Sequence, residues 1–154
     1  MQVRRANMDD LEALKEIKLL SKKEELKYSE SIKPVDKNKE HYLRYLKRDL
    51  SYKSRGIFIA LDKKKIVAFI LAQWFKPLPI SKFKRKGYIS NLYVKKSYRR
   101  KGLGVKLVKK AEQWLKENKV QYISLEIHVE NKDAIGWYMG LGYRDYTKKL
   151  SKKI

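Results

Sequence analysis

The stretch YRRKGLGVKL, Tyr98 to Leu107, sets Arg99, Arg100 and Lys101 directly before Gly102 and Gly104, where a helical pattern begins. A helix N-terminus leaves its first N–H groups unpaired and carries about half a positive charge. Phosphate binds well at such an end, and glycine lets the anion approach the backbone closely. The spacing Arg99-x-x-Gly102-x-Gly104 therefore predicts an anion-holding loop, although the same pattern also occurs as a plain surface loop. It is not a P-loop, which requires G-x-x-x-x-G-K-[ST]. Nor is it a dinucleotide fingerprint, because Leu107 stands where a third glycine is needed. Histidine as a residue type can exchange a proton near neutrality, so His128 is read either as a base or as an ordinary hydrogen-bonded histidine. Metal chemistry has no support: His41 and His128 lie in different segments, and the chain has no cysteine. The lack of cysteine also excludes disulfides and a thiol nucleophile.

These residues need elements to position them. Gln2–Ala6 reads as a short strand. Asn7–Leu20 reads as a helix capped by Asn7 or Asp9, with Leu11, Leu14, Ile17 and Leu20 as its apolar stripe. Pro34 breaks the pattern, and a second helix is expected over Lys37–Tyr52. GIFIALDKKKIVAFILAQWF predicts a hairpin turning at Asp62–Lys65, its second run apolar enough for a central strand buried on both faces. A loop follows over Lys76–Lys86, then a strand over Gly87–Val94. An amphipathic helix covers Gly102–Lys116, a strand Tyr122–Val129, and a short helix ends at Gly140 or Gly142. The tail Tyr143–Ile154 allows one or two strands. The order β-α-α-β-β-β-α-β-α-β is that of an α+β fold with a mixed sheet.

The 154 residues suggest a single domain, 1–154. The N-terminus lacks the apolar region of a signal peptide. The longest apolar run, Ile66–Phe75, is too short to span a bilayer. A cytoplasmic protein without membrane attachment is expected. With 39 Lys plus Arg against 17 Asp plus Glu, the net charge is +22. That charge speeds encounters with acidic partners and disfavours polycationic substrates. Two readings stay open, a solvated lysine coat and a surface for weak, non-specific nucleic-acid binding. Lys82, Lys84, Arg85 and Lys86 beside Phe83 and Tyr88 would suit the second.

Together with the glycine loop, LEIHVENKDAIGWYMGLGY resembles the GCN5-related N-acetyltransferase (GNAT) family. The matches are Arg99, Gly102 and Gly104 to R/Q-x-x-G-x-G/A. Leu125, Glu126, Asn131, Ala134, Ile135, Tyr138 and Gly142 match the segment holding the family's fifth strand and fourth helix, and this segment resembles that of ribosomal-protein N-terminal acetyltransferases. The resemblance implies a twisted sheet splayed between its fourth and fifth strands, with acetyl-CoA as donor and an amine as acceptor. It implies that Arg99, Arg100, Lys101, Gly102, Leu103, Gly104 and Val105 hold the CoA pyrophosphate. Leu92, Tyr93 and Val94 would pair with the pantetheine arm through their backbone, and Asn131 would lie beside it. Tyr138 would be the acid that protonates the departing thiolate. Glu126, His128 or water would take the proton of the amine.

The acceptor class stays open between a protein N-terminus or lysine and a small acidic amine. A nucleic-acid module that keeps the fold without turnover is the remaining alternative, and either a monomer or a homodimer would fit. Without cysteine, a ping-pong route lacks its best nucleophile. Ser90 and Ser124 have no histidine at an activating spacing, so direct attack within a ternary complex is expected.

Overall fold

The computed structural model describes residues 1–29 and 39–154. In chain order the elements are β1 (Gln2–Arg5), α1 (Leu11–Glu25), α2 (Lys39–Ser51), β2 (Arg55–Asp62) and β3 (Lys65–Phe75). They continue with β4 (Lys86–Val94), α3 (Leu103–Glu117), β5 (Tyr122–Leu125) and α4 (Lys132–Gly140). The break at Pro34 and the helix start at Lys37 fall outside the described residues.

The strands form one sheet in the order β1-β2-β3-β4-β5. The first three pairings are antiparallel, and β4 pairs with β5 in parallel. As the apolar run predicts, β3 is the central strand, with Ile66 to Ala72 buried throughout. Each such fully buried Ile, Leu or Phe contributes about 1.5–3 kcal/mol. On one face of the sheet Ile70, Ala72 and Ile89 pack under Leu107, Val108, Ala111 and Leu115 of α3. On the other face Ile57, Ile59, Phe69 and Leu71 pack under Leu14 and Ile17 of α1 and Leu46 of α2.

The N-terminal end of α1 is tied down. Asn7 and Asp10 form a capping box over a short 3-10 turn at Met8–Asp10. Arg4 of β1 holds Asp10 through two bonds of 2.7 and 2.8 Å, and this keeps the Asp10 carboxyl below its usual range.

Four expectations need correction. First, helix α1 runs on to Glu25, because nothing in "SKKEE" breaks a helix. Second, Leu20 is 42% exposed while Leu19 and Ser21 are buried, so the inward row is Leu14, Lys18 and Ser21 rather than a purely apolar stripe. Third, β5 ends at Leu125, not Val129. Fourth, Tyr143–Ile154 forms no strand, so the final β of the expected order is absent from the described residues. Apolar alternation in "YTKKLSKKI" is too sparse to bury either face. No helix among the described residues is long and apolar enough to cross a membrane.

Candidate active site

Parallel pairing between β4 and β5 covers only Lys86–Ile89 against Tyr122–Leu125. Beyond it β4 continues to Val94, while β5 has ended. The parting point coincides with a β-bulge. Ala72 pairs with Ile89 and Leu71 with Asn91, so Ser90 is the extra residue. A bulge bends its strand and strengthens the local twist, which swings Asn91–Val94 away from the line of β5. The result is a V-shaped opening with the β4 backbone along one wall. Leu92, Tyr93 and Val94 lie on that wall, where their outer polar groups have no β5 partner.

At the far end of β4 the chain passes through a short 3-10 turn, Lys96–Tyr98, into the glycine loop. Tyr98 Oη donates to Asp62 at 2.8 Å and fixes this turn to the end of β2. Arg100 and Gly102 both have positive φ, 62° and 73°. Gly102 is the N-cap of α3, and a Cβ there would meet nothing within 4 Å. The first bond of the helix runs from Lys106 N to Gly102 O. The N–H groups of Leu103, Gly104 and Val105 therefore precede the ladder and have no acceptor within the helix. Arg99, Arg100, Lys101 and Gly102 are exposed around this end.

This arrangement fits the pyrophosphate and pantetheine of CoA. A bare helix terminus ringed by cations, with open space above Gly102, suits the phosphates. The unpaired wall of β4 suits an amide-bearing arm.

Two details were not legible in the sequence. Arg99 is already engaged: its Nε donates to Val94 O at 2.9 Å, and its guanidinium pairs with Glu24 of α1 at 2.7 Å. Gly104 has a packing reason of its own, since a Cβ there would lie 3.0 Å from the Trp137 indole. Glycine at this position lets α4 close against the start of α3.

Asn131 is the N-cap of α4, its side chain accepting from Ala134 N at 3.3 Å. That helix sets Tyr138 into the α3-side core with 8% exposure. Trp137 and Tyr143 pack edge-on against the Tyr138 ring, with centroids at 4.8 and 5.4 Å. Burial, then the Glu112 carboxylate, pushes the Tyr138 hydroxyl well above its ordinary value. Tyr143, which donates to Glu112 at 2.8 Å, is raised by the same two causes together with that bond.

The base candidates are not gathered around Tyr138. Glu126 is exposed just past β5 and acts on Tyr88, whose hydroxyl it helps to raise after burial. His128 lies beyond the strand as well: a strand running from Tyr122 to Val129 would have set Glu126 and His128 on one face, but β5 stops before both. Instead its Nδ1 accepts from Glu130 N at 3.2 Å. Its ring meets Tyr28, from the turn after α1, at 5.7 Å. In the basic loop, Phe83 stacks on Tyr122 at 5.3 Å, so an internal partner takes one of its faces.

On the α1/α2 side of the sheet a second depression opens beside Ser90. It is lined by Lys18, Lys22, Tyr42, Tyr45, Arg48, Asp49, Arg55 and Gln73. Sequence reading missed it because its parts come from five elements. The signal that was present is Lys18 and Ser21 standing on the inward row of α1. Both reach Asn91 Oδ1, at 3.1 and 3.3 Å. Asn91 Nδ2 in turn donates to Glu25 at 2.7 Å.

Comparison with known proteins agrees with this geometry. Residues 19–143 match the family model described as Acetyltransferase (GNAT) family. N-alpha-acetyltransferase 30 of Xenopus laevis is 44% identical over 59 residues, 38% of this chain and 22% of that protein. The chain thus spans about a fifth of that vertebrate relative. An N-alpha-acetyltransferase of Saccharolobus solfataricus is 27% identical over 149 residues, 92% of this chain and 79% of the relative.

Among solved structures, an aminoglycoside N-acetyltransferase AAC(6')-Iy in complex with CoA superposes with a TM-score of 0.81 at 15% identity. It covers 99% of this chain and 93% of its own. A Clostridium acetobutylicum acetyltransferase with acetyl-CoA gives 0.77 at 23% identity, covering 99% and 95%. At these identities the structures speak for the fold alone. With its mixed sheet parted beside a glycine-started helix, and with the family match running over most of its length, the chain belongs to the GNAT family of acetyltransferases.

Proposed function

We propose that this chain transfers an acetyl group from acetyl-CoA to the α-amine of a polypeptide, and that residues 1–154 act as one catalytic unit. The observation that carries the reading is the V between β4 and β5, which leads from the bare N-terminus of α3 to the bulge at Ser90. Likeness to N-alpha-acetyltransferases supports a peptide α-amine as acceptor. Polycationic acceptors are disfavoured by the cations around the second depression.

Acetyl-CoA supplies a thioester, whose carbonyl carbon an amine attacks directly. The N–H groups of Leu103, Gly104 and Val105, with Arg100 and Lys101, bind the phosphates. The β4 backbone at Leu92–Val94 aligns the arm, and an N–H of this wall polarises the thioester carbonyl. The C–N bond forms, the C–S bond breaks, and the nitrogen loses a proton.

An α-amine, with an ordinary pKa of about 7.7–8.0, is partly neutral near pH 7.5. A base reached through water is then sufficient. Glu126 fits that part, being exposed at the mouth, while His128 is turned toward Tyr28 and acts as a flanking wall. Burial keeps Tyr138 protonated, so it donates a hydrogen bond to the leaving sulfur; as the C–S bond opens the proton passes to sulfur, and the Tyr138 phenolate takes one back from solvent.

The test is a turnover screen with free N-terminal peptides, N-blocked lysine peptides and small amines. Free N-termini should be acetylated, with intersecting initial-rate lines for the two substrates. Turnover confined to blocked lysine peptides would overturn the α-amine reading. Parallel lines with a trapped acetyl-enzyme would overturn direct attack.

A further inference from the structure

The depression beside Ser90 carries an unbalanced charge. Lys18, Lys22, Arg48 and Arg55 line it, against one carboxylate, Asp49. Asp49 is 6% exposed and is shared by two guanidiniums, Arg48 at 3.2 Å and Arg55 in closer contact. Lys22 pairs with Glu25 outside the lining. Four cations therefore face two carboxylates among the described residues.

Each guanidinium is also stacked. Arg48 lies over Tyr45 at 4.8 Å and Arg55 over Tyr52 at 5.9 Å, so both are held in place before anything binds. Lys18 is the cation with the weakest compensation. Its hydrogen-bond partner is the neutral amide oxygen of Asn91, and its ammonium sits over the Phe69 ring at 5.4 Å. Burial, reinforced by Lys22, lowers its pKa to about 8 despite Glu25 and Asp49. Withdrawing an ammonium from water without a carboxylate costs free energy, and an incoming anion recovers it.

The position matters as much as the charge. Ser90 is both the bulge residue and part of the lining. The depression thus reaches the point where the V admits the acetyl group, but from the opposite face of the sheet.

We infer that this depression is the acceptor-specificity site, and that it selects peptides carrying an acidic side chain within a few residues of the free N-terminus, seated by Lys18, Arg48 and Arg55. The inference rests on the acetyl-transfer reading above. A glutamate or aspartate would find two ordered guanidiniums and one under-compensated ammonium. A lysine at the same place would meet net positive charge.

The test uses the full chain and free-N-terminal peptides that differ at one of positions two to four as Glu, Gln or Lys. Expected kcat/KM falls in the order Glu, Gln, Lys, with Glu over Gln by tenfold or more, the order of magnitude for a desolvated charge pair. The Glu preference should shrink as salt rises from 0.05 to 0.5 M. Lys18→Met should remove most of that preference, lowering kcat/KM for the Glu peptide by a larger factor than for the Gln peptide. Arg48→Gln, at a seating residue whose loss leaves Asp49 paired with Arg55, provides the same readout if Lys18→Met fails to fold. Equal rates for Glu and Gln peptides in the unmodified chain would overturn the inference and leave acetyl transfer standing. So would acetylation of acidic small amines with rejection of every peptide. Bound acetyl-CoA with no turnover on any amine would instead overturn the acetyl-transfer reading itself.

Discussion

The two sites proposed for this molecule, a donor end and an acceptor side, are built from different materials. The donor end is backbone: three N–H groups at the start of α3, two glycines, and a stretch of β4 that pairs with β3 but has no β5 partner. The acceptor side is side chain: two lysines, two arginines and a buried aspartate brought from α1, α2 and β2. Backbone sites need a particular local order of residues, so they leave a short contiguous motif. Side-chain sites need only the right charge at the right place in space, and many sequences provide that. A scaffold of this kind holds its donor while its acceptor changes.

Breaking the chemistry while sparing both ends gives the largest effect. Tyr138→Phe should lower kcat on the order of 100-fold or more, with acetyl-CoA affinity within a few-fold of the parent. An unchanged kcat would remove Tyr138 from the proton path. Next is a lesion of the donor end alone. Gly104→Glu places bulk against Trp137 and a carboxylate at the phosphate-facing helix start. Acetyl-CoA affinity should fall by tenfold or more while peptide binding is retained. Calorimetry on the folded variant decides it, and unchanged affinity would sink the phosphate-loop assignment.

The smallest effect belongs to the acceptor side and is read as stability. Lys18 titrates near 8 in the folded chain against about 10.4 when unfolded. Between those values the unfolded chain binds the extra proton, so stability rises with pH across the window. Lys22, Glu25, Asp49 and Asn91 are the groups that face it. Unfolding free energies from urea titrations should increase from pH 7.5 to 9.5, by on the order of 1 kcal/mol after allowance for solvent screening. The slope should flatten in Lys18→Met. Above about pH 10 the raised tyrosines Tyr138 and Tyr143 reverse the trend, since ionising them favours the unfolded chain.

The same contrast explains what could be read from the sequence. The mixed α+β order, the central position of β3 and the glycine-started helix follow from local pattern, because apolar period and turn chemistry act over a few residues. The early end of β5 did not follow. "EIHV" has strand chemistry, but a strand needs a neighbour, and β4 has bent away by then. The Arg99–Glu24 pair was hidden for another reason: 75 residues separate its partners, and no period links them. Likewise, Lys18 looks like a surface lysine until the inward row Leu14-Lys18-Ser21 is counted. Glu126 and His128 would share a face only on a strand that reached Val129, and β5 ends at Leu125.

The bulge at Ser90 has a consequence for how such a cleft arises. On the α3 side lie Ile89, Leu92 and Val94, while Tyr93 lies on the α1 side and Asn91 bonds Lys18 and Ser21 there. Deleting Ser90 would leave all five side chains on the faces they now occupy, because alternation along β4 would simply become regular. A chain one codon shorter would therefore keep both cores, while β4 would lose the bend that parts it from β5. Seen this way, the opening is a single-residue insertion in an otherwise ordinary sheet, separable from the packing that makes the protein fold.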